Sequence, residues 1–256
     1  MKHRYFVFCK ESLLLTTTAD GALCIPTAEQ PPIALKPWTH LLHVSYPDGE
    51  EAYTYHVNHV PEGQNGSFMS LRQSYYHLSY FDYQKAGKCQ ELLYWDENTK
   101  YCGVCGGMMH MHTDISKRCE LCGKEVWPQL ATAVIVLIHR NDEVLLVRSH
   151  NFRTNFYGLV AGFVETGETL EEAVHREVKE ETGLDITRLR YFGSQPWPYP
   201  CGLMVGFNAD YAGGEIKLQR EELAAGAWFK PDHLPQIPEK LSIARHLIDA
   251  WIDSPL

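Results

Sequence analysis

Glu168, Arg176, Glu177, Glu180 and Glu181 fall in one short stretch of the chain, between Gly162 and Leu184, in the spacing G-x5-E-x7-R-E-x-x-E-E-x-G-L. Thr169 followed by Glu172 reads as a capping box, and Leu170, Ala173, Val174 and Val178 recur at helical spacing, so a helix from about Leu170 to Thr182, ended by Gly183, is predicted. Glu177, Glu180 and Glu181 stand at i, i+3 and i+4 and share a face of that helix. Like charges so placed repel by a few tenths of a kcal/mol per pair. A hard divalent cation removes that penalty, because it prefers oxygen ligands and is held by a few carboxylates together with substrate phosphates. The plainer alternative, a solvated acidic face, requires neither the glycine at the entry nor an arginine inside the acidic run. Metal-assisted hydrolysis of a phosphoanhydride is the chemistry that such a set of groups supports.

A second constellation is Cys102-x2-Cys105-x13-Cys119-x2-Cys122. Four thiolates at this spacing suit tetrahedral Zn²⁺ with no open position, hence a structural site, and Gly103, Gly106 and Gly123 supply permissive backbone beside the ligands. The alternative is four ordinary thiols or two disulfides. The other thiols, Cys9, Cys24, Cys89 and Cys201, follow no pattern, and His110 and His112 inside the ribbon loop read as surface or packing residues.

The elements around these motifs divide the 256 residues into three parts: an N-terminal domain over 1–99, a zinc ribbon over 100–128 and a hydrolase domain over 129–256. The first opens with β-like runs at Tyr5 to Phe8, Leu13 to Thr17 and Tyr53 to Val57, then turns helical and aromatic from Phe68 to about Trp95. The last has β-runs at Ala131 to Ile138 and Glu143 to Arg148 across an Asn141-Asp142 turn, then at Tyr157 to Val160, Leu189 to Phe192, Leu203 to Asp210 and Ala227 to Phe229, with a final helix from about Glu239 to Ile252. Apolar content of 45% and charged content of 21% are ordinary for a globular protein, and the net charge of −9 argues against general attraction to nucleic acid. No apolar run is long enough to span a bilayer, and Lys10, Glu11 and Ser12 interrupt the apolar stretch near the start, so a cytoplasmic protein without a membrane segment is expected.

One further segment bears on substrate: Gln195-Pro196-Trp197-Pro198-Tyr199-Pro200, followed by Cys201, Gly202, Leu203 and Met204. Alternate prolines stiffen an extended backbone that cannot pair as a central strand. Trp197, Tyr199 and Gln195 on it suit recognition of a flat ring; the alternative is a rigid crossover that packs its aromatics inside.

The glutamate pattern meets every defined position of the Nudix box. The SQPWPYP segment ten residues after Leu184, behind a zinc ribbon and an N-terminal domain, resembles the bacterial NADH pyrophosphatase and NAD-capped RNA hydrolase family, over essentially the whole chain. The resemblance implies an α+β protein with a Nudix αβα sandwich preceded by a zinc ribbon and an N-terminal α/β domain. It implies hydrolysis of NAD(H) to nicotinamide mononucleotide and AMP, removal of NAD caps from RNA 5′ ends to leave a monophosphate, and a homodimer. Glu177 and Glu181 would be principal Mg²⁺ or Mn²⁺ ligands and Glu180 a further ligand or water-activating residue, joined by the carbonyl of Ala161 and by Glu222. Glu168 and Arg176 would brace the loop against the helix. Phe163 would stack on the nicotinamide, Gln195, Pro196, Trp197, Pro198, Tyr199, Pro200, Cys201 and Gly202 would line the substrate site, and Trp127 would reach the adenine side across the dimer. Arg72, Asp114 and Ala244 occupy further matching substrate positions. Cys201-Gly202 departs from the family's polar residue and serine, so a hydroxyl contact is lost or replaced by backbone; Tyr199 stands where the family has Phe. Two other functions compete, a broader hydrolase of ADP-ribose or dinucleoside polyphosphates and a non-catalytic nucleotide sensor; SQPWPYP weighs against the first, and the intact glutamates weigh against the second.

Overall fold

The computed structural model describes residues 2–46, 48–60, 66–150 and 156–253. They form two compact units: Met1–Leu130 with Trp197–Cys201, and Ala131–Pro196 with Gly202–Leu256.

The first unit is built on a sheet whose centre is the parallel pair His3–Cys9 and Glu51–His56, with Tyr5 opposite Tyr53 and Val7 opposite Tyr55. Side chains alternate across a strand, so Phe6 and Phe8 join one core while Tyr5 and Val7 join another. The Phe6 and Phe8 face is covered by a long helix, Tyr80–Asn98, through Tyr83, Ala86, Cys89, Leu92, Leu93 and Trp95. The helical reading from Phe68 holds only in part. Phe68 lies in the strand Ser67–Ser70, which pairs with Ser12–Thr17, and a short helix Leu71–Ser74 follows. The long helix starts afresh at Ser79, whose hydroxyl accepts from the Asp82 N–H (3.1 Å). Aromatic spacing alone could not reveal that break. The cysteine-rich segment forms a three-stranded sheet, Met109–Thr113, Ser116–Cys119 and Glu125–Val126.

The second unit is the expected αβα sandwich. Its central strand, Ala131–Arg140, runs parallel to Gly202–Gly213 and antiparallel to Val160–Phe163 and Glu143–Ser149. Val134, Val136 and Ile138 point to one face and Ile135 and Leu137 to the other, as a strand buried on both sides requires. The helix Leu170–Thr182 closes the first face with Ala173, Val174 and Val178; the helix Ile243–Asp253 closes the second with Leu247, Ile248 and Trp251. That last helix begins later than expected because Ser242 sits before it, its hydroxyl accepting from the Arg245 N–H (3.3 Å). The strand expected at Tyr157 to Val160 is shifted to Val160–Phe163, where its pairing with Ala133 to Val136 is set. The edge strand Asp185–Trp197 is far longer than its apolar run suggested and carries Pro196 near its end, a place an edge tolerates.

Trp251 is 2% exposed in the core under the second face. Trp251→Ala is expected to lower the stability of the second unit by about 3–5 kcal/mol, read as a shift of the urea unfolding midpoint followed by circular dichroism.

Candidate active site

The helix Leu170–Thr182 opens with the capping box the sequence announces: Thr169 accepts from the Glu172 N–H (3.2 Å), and Glu172 accepts from the Thr169 N–H (2.8 Å). It ends at Gly183 with φ 73°, a left-handed cap. Immediately beyond, the Lys217 N–H donates to Thr182 O (2.8 Å) and the Gln219 N–H to Glu181 O (2.9 Å). These bonds tie the turn carrying Glu222 to the end of the helix, and the Glu222 N–H closes that turn on Gln219 O (3.1 Å). Two carboxylate-bearing segments remote in sequence are thus fixed side by side.

Glu181 is the buried member, 4% exposed. Burial first, then the charges of Glu177, Glu222 and Glu180, push its carboxyl up to about 8. Burial also raises Glu177, against the pull of Arg176. The Glu177 carboxylate lies on the backbone of Gly162: a Cβ there would fall 1.9–2.3 Å from its carboxyl atoms. Glycine is required at that point, and this close approach is what the first residue of the motif supplies.

Arg176 organises the rim. Its Nε and Nη2 donate to the two oxygens of Glu168 (2.5 and 3.0 Å), Nη2 also reaches Phe163 O (2.9 Å), and Nη1 donates to Glu177 (2.8 Å) and Glu180 (3.1 Å). Hydrogen bonds from Arg176 and from the Glu165 N–H hold the Glu168 carboxyl down at about 2. The Phe163 ring stands 65% exposed beside this cluster. Ala161 lies one residue before Gly162 on the same strand, opposite Ile135. An all-oxygen donor set around a buried carboxyl, with its charge only partly balanced by one guanidinium, fits a hard divalent cation.

The four ribbon cysteines place their sulfurs within 4.8 Å of one another, and among the described residues they are the only His, Cys, Asp and Glu group so gathered. Gly106 (φ 75°) and Gly123 (φ 73°) donate back to the carbonyls of Cys102 and Cys119 (2.9 and 3.1 Å), forming the two knuckles. Backbone N–H groups of Val104 and Cys105 bring the Cys102 thiol down to about 7, and those of Cys122 and Leu121 lower Cys119. The set fits a closed tetrahedral thiolate site of the zinc type.

The proline-rich segment divides at Trp197. Gln195 is buried in the second unit, its amide donating to Leu241 O (2.7 Å) and accepting from the Ile243 N–H (2.6 Å), so both polar atoms anchor the start of the last helix. Ala244, 8% exposed, packs in the same core. Trp197 to Cys201 belong to the first unit. There Trp197 and Tyr199 meet edge to face (5.2 Å), and the Arg72 guanidinium lies 5.0 Å from each ring. Pro198 packs on Gly87 and its carbonyl accepts from Gln90 (3.0 Å), while the Tyr199 hydroxyl meets that of Tyr83 (3.0 Å). Cys201 and Gly202 are half-buried. Asp114 accepts from Ser45 and lies 3.1 Å from His43, which joins the ribbon tip to the sheet; Trp127 is half exposed. The resemblance gives Arg72 only as a matching substrate position; its stacking on two rings, and the Tyr83 partner of Tyr199, have no signal in local sequence.

Residues 128–251 match the model of the NUDIX domain, and residues 2–95 match the NADH pyrophosphatase-like rudimentary NUDIX domain. The chain is 39% identical to the NAD-capped RNA hydrolase NudC of Pseudomonas aeruginosa, over 82% of this chain and 76% of that protein. It is 36% identical to the protein of the same name from Pseudomonas syringae pv. tomato, over 93% and 92%. The fold is similar to a crystal structure of a NUDIX hydrolase from Nitrosomonas europaea, with TM-score 0.53 at 19% identity, covering 61% of this chain and 92% of that one.

A carboxyl whose folded pKa is raised contributes stability that is complete below its unfolded value and lost as pH rises through the folded one. For Glu181 the window runs from 4.5 to about 8. Without added divalent cation, the melting temperature is expected to fall across that window, and Glu181→Gln is expected to flatten the fall. Added Mg²⁺ is expected to raise the melting temperature more at pH 8 than at pH 5.5. Differential scanning calorimetry at several pH values checks all three.

Proposed function

Because the chain belongs to the NADH pyrophosphatase and NAD-capped RNA hydrolase family of the Nudix superfamily, we propose that it cleaves the pyrophosphate of NAD(H) to nicotinamide mononucleotide and AMP, and removes NAD caps from RNA 5′ ends to leave a monophosphate. The observation that carries the chemistry is the crowding of Glu177, Glu180 and Glu222 around the buried Glu181 at the foot of Gly162.

Glu177, Glu180, Glu181 and Glu222, with the Ala161 carbonyl, would hold Mg²⁺ or Mn²⁺. Such an ion neutralises the pyrophosphate and orients the attacking water. Arg176 positions the machinery, fixing Glu177 and Glu180 from one side and the Glu168 loop from the other. Glu180, more exposed than Glu181, would serve as a further ligand or as the carboxylate that activates water. Phe163 offers its open face to the nicotinamide. Trp197 and Tyr199, held by Arg72, and the Pro198 to Gly202 backbone form the substrate loop; Asp114, Trp127 and Ala244 take the remaining substrate positions, with Trp127 acting across a homodimer. The role of Gln195 is narrower than a ring contact: it holds the loop's root to the last helix. The four cysteines hold Zn²⁺ as a structural ion, and the protein works in the cytoplasm.

Product analysis tests the reading. With Mg²⁺ or Mn²⁺, NADH and a 5′-NAD-capped RNA are expected to release nicotinamide mononucleotide faster than ADP-ribose is hydrolysed. Glu177→Gln is expected to lower kcat by about 10²–10³ with an unchanged circular dichroism spectrum. Preferential turnover of ADP-ribose would refute the specificity, and near-normal turnover by the variant would refute the role of Glu177.

For the ribbon, plasma emission spectrometry is expected to find one zinc per chain. Cys119→Ser is expected to lose that zinc and to lower the melting temperature of the first unit, because metal affinity there is folding free energy.

A further inference from the structure

The first unit contains a cavity of about 760 Å³, of a size that takes a nucleotide-sized ligand. Two of its walls repeat one chemistry. A turn closed by the Thr39 N–H on Lys36 O (2.9 Å) presents Lys36 and Trp38, the ring 72% exposed. Opposite in sequence, where the long helix gives way to the ribbon, Lys100 and Tyr101 line the same space, the ring 68% exposed. Both rings are large apolar surfaces left open to solvent at a concave site, an arrangement that marks recognition. Both positions are held by backbone: the Met109 N–H donates to Lys100 O (3.0 Å), and Tyr101 bridges to Met108.

The charges decide what fits. The acidic groups of the lining are already matched: Asp96 faces Lys117 (2.7 Å) and His40 (2.8 Å), and Glu97 faces His56 (2.5 Å). Among the described residues Lys36 and Lys100 have no carboxylate partner. Among the described residues the imidazoles and carboxylates of the lining do not gather as a three-ligand group. What remains is two aromatic rings, each within two residues of a lysine that has no carboxylate partner among the described residues, beside acidic groups that are already paired.

We propose that this cavity binds a nucleotide, with its base stacked on Trp38 and its phosphate at Lys36 and Lys100. The nucleotide is either a free mononucleotide or one unit of a single-stranded RNA; the recognising chemistry is the same, since every base has a π-face and every nucleotide a phosphate. The assignment does not rest on the proposed hydrolysis, and none of these three residues belongs to the candidate active site.

The test uses the full zinc-loaded chain. Binding of a fluorescein-labelled, 5′-monophosphorylated oligoadenylate decamer is measured by anisotropy, and binding of AMP by calorimetry. The variants are Trp38→Leu, Trp38→Phe and the double variant Lys36→Ala/Lys100→Ala. All three positions are exposed, so the melting temperature and NADH turnover are expected to stay at the parent values. Trp38→Leu is expected to weaken binding about tenfold, whereas Trp38→Phe retains it. The double variant is expected to reduce the salt slope of decamer binding by about 0.7, one phosphate's worth. Weakening of the decamer alone assigns the site to RNA, and weakening of AMP assigns it to free nucleotide. Unchanged binding of both probes in every variant would overturn the site.

Discussion

The mutual repulsion of the carboxylates gathered at Glu181 is the constraint around which the second unit is arranged. Nothing in a folded chain keeps such charges together by attraction; the backbone must hold them there. The Gln219 and Lys217 N–H bonds to the end of the helix do so for Glu222, and the bare backbone of Gly162 does so for Glu177. One guanidinium then bridges three carboxylates, so Arg176 binds the loop, the strand and the helix into a single rigid corner. The sandwich behind it serves to keep that corner from relaxing, with apolar residues of one central strand buried on both faces.

Much of this was legible in the residues because it is local. The capping box at Thr169, the glycine stop at Gly183 and the cysteine knuckles all follow from short-range chemistry, and each was found where its spacing placed it. The Asn141-Asp142 turn was readable for the same reason, since Arg140 and Glu143 pair directly across it. What escaped depends on partners distant in sequence. Phe68 looks helical from its neighbours and is a strand because Leu14 lies beside it. Gln195 looks like a recognition amide and is a brace because Leu241 and Ile243 meet it.

The proline-rich segment shows both limits at once. Its stiffness and its edge position follow from the prolines, yet the environment of its aromatic rings could not be read from them. Arg72 over two rings, the paired hydroxyls of Tyr83 and Tyr199, and the Pro198 carbonyl on Gln90 enclose Trp197 to Pro200 among residues encoded more than a hundred positions earlier. The cavity of the first unit escaped for the same reason: Trp38 and Tyr101 sit in unremarkable loop sequence and acquire meaning only through the space they share.

That enclosure has a temporal side. Because Trp197–Cys201 belongs to the first unit and its flanking strands to the second, the nascent chain cannot complete its first unit when Leu130 emerges from the ribosome. The pocket walled by Arg72, Tyr83 and Gln90 waits for a segment synthesised some time later, at about 5–20 residues per second. The chain is therefore stitched in order of manufacture: the half made first is finished only by residues that lie within the second's stretch of message.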